Sequence, residues 1–295
     1  MVAVVAILAV VALAIFANMV LQVAERNTRI DNANKMALRT LDQALANFVV
    51  ANGRLPCPAY GTFTGALPAP SASAGVEQVN PANGLCLTPN QSAGVVPWRT
   101  LGLPQSAGVD VYGNWITYRV YPALTAILPA PYRAMDMTTC STGGVVAATT
   151  VGGYPQCTSP PAGCPGACTY TFQNNVLVGA GLPVTDGSGN WLNQPSSATP
   201  AINGGAAYVL ISHGPNGAGA YTVAGKPSPG TAPIGNNELL NENGVALMTG
   251  SSVALSYRDA PVSNPPNAGA MYFDDMLSHP TILAVLTRAN LAPRH

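Results

Sequence analysis

Six cysteines carry the most evident chemistry of this 295-residue chain: Cys57, Cys86, Cys140, Cys157, Cys164 and Cys168. All lie in stretches rich in Gly, Pro, Ser and Thr, where turns bring distant thiols together. An even count in that setting favours disulfides made in an oxidising compartment. Six cysteines allow 15 pairings. Nearest-neighbour closure gives Cys57–Cys86, Cys140–Cys157 and Cys164–Cys168. The first would close a loop of about 30 residues and contribute roughly 3–4 kcal/mol in the chain-entropy model. The rival chemistry is zinc, but these spacings lack paired CxxC knuckles and a nearby His.

The other reactive side chains are sparse. His213 stands next to Ser212 in Ser-His-Gly-Pro-Asn-Gly, yet neighbours on a strand point to opposite faces. His279 precedes Pro280, and His295 is terminal. No G-x-S-x-G elbow, HExxH helix or phosphate-cradling glycine loop is present, so the chain reads as a non-enzyme. Tyr112, Trp115, Tyr118 and Tyr121 suit packing on a sheet better than sugar binding. Trp98 and Trp191 serve either purpose.

Charge narrows the classes further. Twelve Lys+Arg balance twelve Asp+Glu, which removes the basic footprint of a nucleic-acid binder. Charged residues make up 8% and hydrophobic residues 48%, so the chain is not intrinsically disordered. Thirty Gly and 27 Pro favour turns and short strands over a helical bundle.

The elements that position these residues begin with a helix. Met1 to Leu21 contains no charge, and twelve of its residues are Val, Ile, Leu or Phe. At about 1.5 Å per residue it spans some 31 Å, close to a bilayer's hydrocarbon core. From Ala24 to Val50 the pattern becomes one-sided. Ile30, Ala33, Ala37, Leu41, Ala44, Leu45, Phe48 and Val49 recur at three- and four-residue steps among seven charges. Gly53 marks the end, and Pro56 and Pro58 prevent continuation. One helix of about 52 residues is expected, its first half suited to lipid or a helix bundle, its second to a globular core. Strands are expected at Asn114–Tyr121, Tyr170–Gly179, Ala206–His213 and Ser252–Arg258, each bounded by Gly, Pro or Asn. A helix is expected from Asp275 to Leu291, capped by Asp275 or Ser278. Residues 1–22 form an apolar half-helix, 23–53 an amphipathic half, and 54–295 a globular domain with a Cys-rich insertion at 122–169. The fold class is α+β, a long N-terminal helix packed on an antiparallel sheet.

Several motifs sharpen this order of elements. Gly53-Arg54-Leu55-Pro56-Cys57-Pro58-Ala59 ends the helix, and Gly94-Val95-Val96-Pro97-Trp98-Arg99-Thr100-Leu101-Gly102-Leu103-Pro104 lies downstream. Asp110-Val111-Tyr112-Gly113-Asn114 comes next, with Tyr118 as a later aromatic. Ile211-Ser212-His213-Gly214-Pro215-Asn216-Gly217 makes a glycine-rich turn, and Phe273-Asp274-Asp275-Met276 closes the series. In this order they resemble the type IV pilin and type II secretion pseudopilin superfamily over nearly the whole chain, apart from 122–169. The usual Phe/Met-Thr-Leu-x-Glu start of that superfamily is absent. The segment from Met1 looks like the stretch immediately after that Glu, and a basic leader upstream is expected.

The resemblance implies a pilin-like fold and a structural subunit of a pilus or pseudopilus filament. Copies would pack through Val4, Ile7, Leu8, Val11 and Ile15, with small residues between them helping close approach. It implies self-assembly or mixed assembly with other pilins, an inner-membrane stage, and prepilin peptidase and an assembly platform as partners. The expected location is the inner membrane with a periplasmic domain, then a periplasmic or extracellular filament. The resemblance also suggests calcium, held by Asp274, Asp275 and Asn216 as hard oxygen ligands. The alternative function is a membrane-anchored periplasmic module binding carbohydrate or a secreted substrate.

Overall fold

A computed structural model describes residues 2–62, 73–82, 84–87, 94–127, 134–135, 150–151, 154–155, 179–195, 204–228, 230, 234–242, 256–263 and 269–291. Helix α1 runs Val2–Asn52 without a break. Gly53 takes φ 65° just past its end and donates its N–H to the Val49 carbonyl, so the glycine stops the helix as the sequence indicates.

The inner half of α1 is one-sided. Leu38, Leu41, Leu45 and Val49 are buried, with Asn34 in the same row. The stripe runs slightly differently from expectation. Ala33 is exposed, and the buried row passes through Asn34 and Leu38 instead. Larger side chains win the face that meets the sheet because they remove more apolar area from water.

The strands are β1 Ala59–Tyr60, β2 Gly94–Val95, β3 Asn114–Trp115, β4 Thr117–Val120, β5 Thr150–Val151, β6 Tyr154–Pro155, β7 Val184–Asp186, β8 Trp191–Asn193, β9 Tyr208–Ser212, β10 Tyr221–Thr222, β11 Tyr257–Asp259 and β12 Met276–Ser278. The main sheet has the order β1-β2-β4-β9-β12 and is antiparallel throughout. Its two central strands are buried along their length, so Thr117–Val120 and Tyr208–Ser212 carry no polar-out alternation. A smaller sheet, β11-β7-β8, contains the parallel pair β11–β7. The expected strand Asn114–Tyr121 is divided at Ile116. Trp115 pairs with Tyr221 in a separate ribbon, while Thr117 onward joins the main sheet.

Among the described residues, two short α-helices follow, α2 at Asn236–Glu242 and α3 at Ile282–Arg288. The cap of α3 is Thr281, whose side chain accepts from the Ala284 N–H, and not Asp275 or Ser278. Those two residues lie earlier because 276–278 pairs with β9 and is held extended by the ladder. Helix α1 packs on β12 and α3 around one core with Trp115, Ile116, Tyr118, Val120, Leu124 and Leu210.

Asp42 pins the helix to this core. It accepts from Tyr208 Oη at 2.9 Å and Ser278 Oγ at 2.7 Å, and Arg288 lies 3.9 Å away. Below the helix end, Arg54 makes a two-pronged ion pair with Glu77 at 2.7 and 2.8 Å. Cys57 and Cys86 form a disulfide as nearest-neighbour closure proposes. Cys140, Cys157, Cys164 and Cys168 lie outside the described residues, as does most of Tyr170–Gly179.

Among the described residues, no helix is long and apolar enough to cross a membrane. The expectation of an inner-membrane anchor, with its periplasmic domain, is corrected accordingly. Side chains of α1 are described from Val11 onward. The first charges on the helix are Glu25, Arg26 and Arg29.

Candidate functional site

The densest polar chemistry in the fold sits where three segments meet. The first is the turn after β9. Its Gly214 and Gly217 take φ 58° and 64°, and the Gly217 N–H returns to the His213 carbonyl. The second is α2. The third is the lead-in to β12, which carries Tyr272, Asp274 and Asp275. Asp274 and Asp275 converge with Glu238, and ligand oxygens of all three lie within 4.8 Å of one another. All three side chains are buried.

Each group is tied in place. Glu238 Oε1 accepts from the Asp274 N–H at 2.9 Å. Glu238 Oε2 accepts from Asn216 Nδ2 at 2.9 Å and from the Gly235 N–H at 3.0 Å. Asp274 Oδ2 accepts from Tyr272 Oη at 2.8 Å and the Asn216 N–H at 3.2 Å. Asp275 Oδ2 accepts from Asn241 Nδ2 at 2.7 Å. The remaining oxygens, Asp274 Oδ1 and Asp275 Oδ1, are buried with no hydrogen-bond partner. Close packing holds this geometry. A Cβ on Gly214 would stand 2.4 Å from Asp274 Cγ, and one on Gly235 would stand 1.7 Å from the Tyr272 carbonyl oxygen.

Burial of three carboxylates demands compensation. Among the described residues no Lys or Arg pairs with them; the basic neighbour is His213, with Nδ1 3.5 Å from Asp275 Oδ1. Burial, with the Glu238 carboxylate next to it as the second cause, pushes the Asp274 carboxyl up to about 8. Burial likewise raises the Tyr272 hydroxyl, with the hydrogen bond to Asp274 adding to it. Oxygens of three carboxylates within 4.8 Å of one another are an arrangement that could hold a divalent cation.

The structure brings together two of the expected ligands and turns the third aside. Asn216 offers its amide hydrogens to Glu238, and its Oδ1 accepts from the Ala218 N–H at 3.0 Å. Reversing the amide would set its oxygen against the carboxylate, so the amide hydrogens of Asn216 position Glu238. Glu238 is the residue that sequence reading missed. Its one signal is rarity: an acid in a turn-rich stretch of a domain with few charges.

The other motif residues are structural in this arrangement. Asp110 accepts from the Tyr112 and Asn114 N–H groups at 3.0 and 2.9 Å and from Ser212 Oγ at 2.9 Å. Burial raises its carboxyl above the ordinary range. Ser212 and His213 point apart, one to Asp110 and the other to Thr117 Oγ1 at 2.9 Å. Asn34 Oδ1 accepts from the Val111 N–H, which docks this turn on α1.

The expected packing residues lie on α1. Val11 and Ile15 are exposed by 49% and 54%; the side chains of Val4, Ile7 and Leu8 are outside the described set. Compared with family models, curated proteins and solved structures, the chain matches none.

Proposed function

We propose that this chain is a structural subunit of a pilus-like or pseudopilus-like filament, its copies packing through the outer part of α1. The observation that carries this is an unpartnered run of large apolar side chains on a rigid helix. Val11, Leu13, Ile15, Phe16, Met19, Val20, Leu21 and Val23 are all exposed, while one face of the same helix is buried from Leu38 onward. They occupy every side of the helix, so one partner groove would not cover them, whereas a bundle of like helices would.

The magnitude is adequate. Completing the burial of eight half-exposed apolar residues contributes on the order of 10 kcal/mol at ordinary transfer values. That is comparable to the roughly 4–15 kcal/mol lost in association. Ala12, Ala14 and Ala17 permit close approach of the backbones. Zero formal net charge leaves little long-range repulsion between copies. The order of motifs from Gly53 to Met276, which resembles pilins and pseudopilins, points to the same class.

The test is sedimentation and electron microscopy of the full chain over a concentration series. Filaments or large oligomers are expected, and Phe16→Asp is expected to abolish them while leaving the melting temperature within about 1–2 °C, because Phe16 is 67% exposed. A parent chain that stays monomeric throughout, or a variant that assembles equally well, would overturn the reading.

A further inference from the structure

One imidazole joins the main sheet to the small one. His279 follows the last residue of β12, the strand at the edge of the main sheet. Asn193 and Asp259 end β8 and β11, the two outer strands of the small sheet. His279 Nδ1 lies 2.5 Å from Asn193 Oδ1, and Nε2 lies 3.0 Å from Asp259 Oδ2. Both partners are acceptors. An ionised carboxylate only accepts. The buried amide of Asn193 is fixed with its oxygen toward the ring, because its Nδ2 donates to the Gly204 carbonyl at 3.1 Å. A neutral imidazole has one N–H and one lone pair, so it satisfies one acceptor and sets its lone pair against the other. A protonated ring donates to both, and a bond from a charged donor to a carboxylate is about twice as strong as a neutral one.

We propose that His279 is a protonation-dependent clasp that holds the small sheet on the edge of the main sheet. In its protonated form it donates to β8 and β11 at once. As pH rises and the ring loses its proton, one of the two bonds is lost and the clasp weakens. The charged groups around the ring are on three elements. Asp259 faces it from β11. Asp42, on α1, is near enough to interact with its charge, and Arg288 of α3, 3.9 Å from Asp42, offsets that carboxylate. Arg258, next to Asp259, turns instead to Thr185 Oγ1 and the Asp186 carbonyl. The rest of the junction is an apolar contact in which Leu182, Val184, Val209, Ile211 and Tyr257 pack together. That contact secures the junction, and His279 adjusts its strength. The inference is independent of filament assembly.

The experiment measures urea unfolding of the full chain, of His279→Gln and of Asp259→Asn at about pH 5.5 and about pH 8.5. Between those values an ordinary imidazole loses its charge while an ordinary carboxylate keeps it. The factor by which His279→Gln lowers the folding equilibrium constant is expected to be roughly fivefold larger at the lower pH. Asp274 and Asp42 are common to parent and variant, so their own titration cancels in that ratio. Asp259→Asn removes a group that is ionised at both values, and its effect is expected to show the same excess at the lower pH because it acts through the ring. Where His279→Gln does not fold, Asp259→Asn decides. A destabilisation by either variant that is equal at the two pH values, or larger at the higher one, would overturn the proposal.

Discussion

Replacing both Cys57 and Cys86 with alanine tests how the end of α1 is fastened to the domain. The bridge spans a sequence separation of 29. For a loop of that size the chain-entropy relation gives a loss of about 12 cal/mol/K, or about 3.6 kcal/mol at 25 °C, acting through the unfolded chain. The folded state has a second fastening of the same loop. Arg54 and Glu77 pair with only 11% and 15% side-chain exposure, and Glu77 Oε2 also accepts from the Cys57 N–H at 2.9 Å. Breaking such a buried pair with Glu77→Gln costs about 3–5 kcal/mol. If the disulfide acts on the unfolded ensemble, the two losses add to within about 0.5 kcal/mol, because the native ion pair does not need the sulfurs. The urea dependence should also steepen in the cysteine-free chain, whose unfolded state exposes more surface. Equilibrium urea unfolding of the parent, the cysteine double variant, Glu77→Gln and the combination measures all four corners. A loss below about 1 kcal/mol for the double variant, or a coupling above about 1 kcal/mol, would refute the reasoning.

The remaining predictions concern the core and the acid cluster. Leu45→Ala, at a fully buried position on the helix face, is expected to cost about 2–5 kcal/mol by urea unfolding, whereas the exposed Val50→Ala on the same helix stays within about 0.5 kcal/mol. In chelator, thermal stability is expected to fall as pH rises from about 4 to about 8. Asp274 is held in the fold with its pKa near 8 against an ordinary 3.8, and burial raises Asp42 in the same direction. A raised folded value means that the proton favours the folded state, so this stability is complete below the unfolded value and is lost through the folded one. Asp186, held below the ordinary range by its hydrogen bonds to Asn190, titrates beneath this window. Scanning fluorimetry of the parent against Asp274→Asn isolates the effect; a difference between them that does not change with pH would contradict the assignment.

Much of the architecture is local in origin and therefore readable in the chain. The length of α1, its stop at Gly53 and the buried face around Leu41, Leu45 and Val49 come from helical periodicity and one glycine. The central strands at Thr117–Val120 and Tyr208–Ser212 come from runs of β-branched and aromatic residues between turn formers. The Cys57–Cys86 pairing reflects proximity along the chain. The features that the chain alone left undetermined depend on contacts between distant segments. The cap of α3 moved to Thr281 because 276–278 was claimed by β9. The strand from Asn114 divided because Trp115 found Tyr221.

The acid cluster shows the boundary most plainly. Asp274 and Asp275 stand out in a chain with 8% charged residues, and the turn at Gly214–Gly217 announces itself by its glycines. Glu238 is 36 residues from Asp274, on a short helix whose pattern says nothing of the turn it meets. No local preference encodes that Glu238 receives the Asp274 N–H, that Asn216 spends its amide on Glu238, or that His213 faces Asp275. Residue type and periodicity set which elements form, because those energies are settled within a few residues. Which side chains share a buried pocket was decided only by packing, where burial and unpartnered polar atoms carry penalties that no single segment experiences alone.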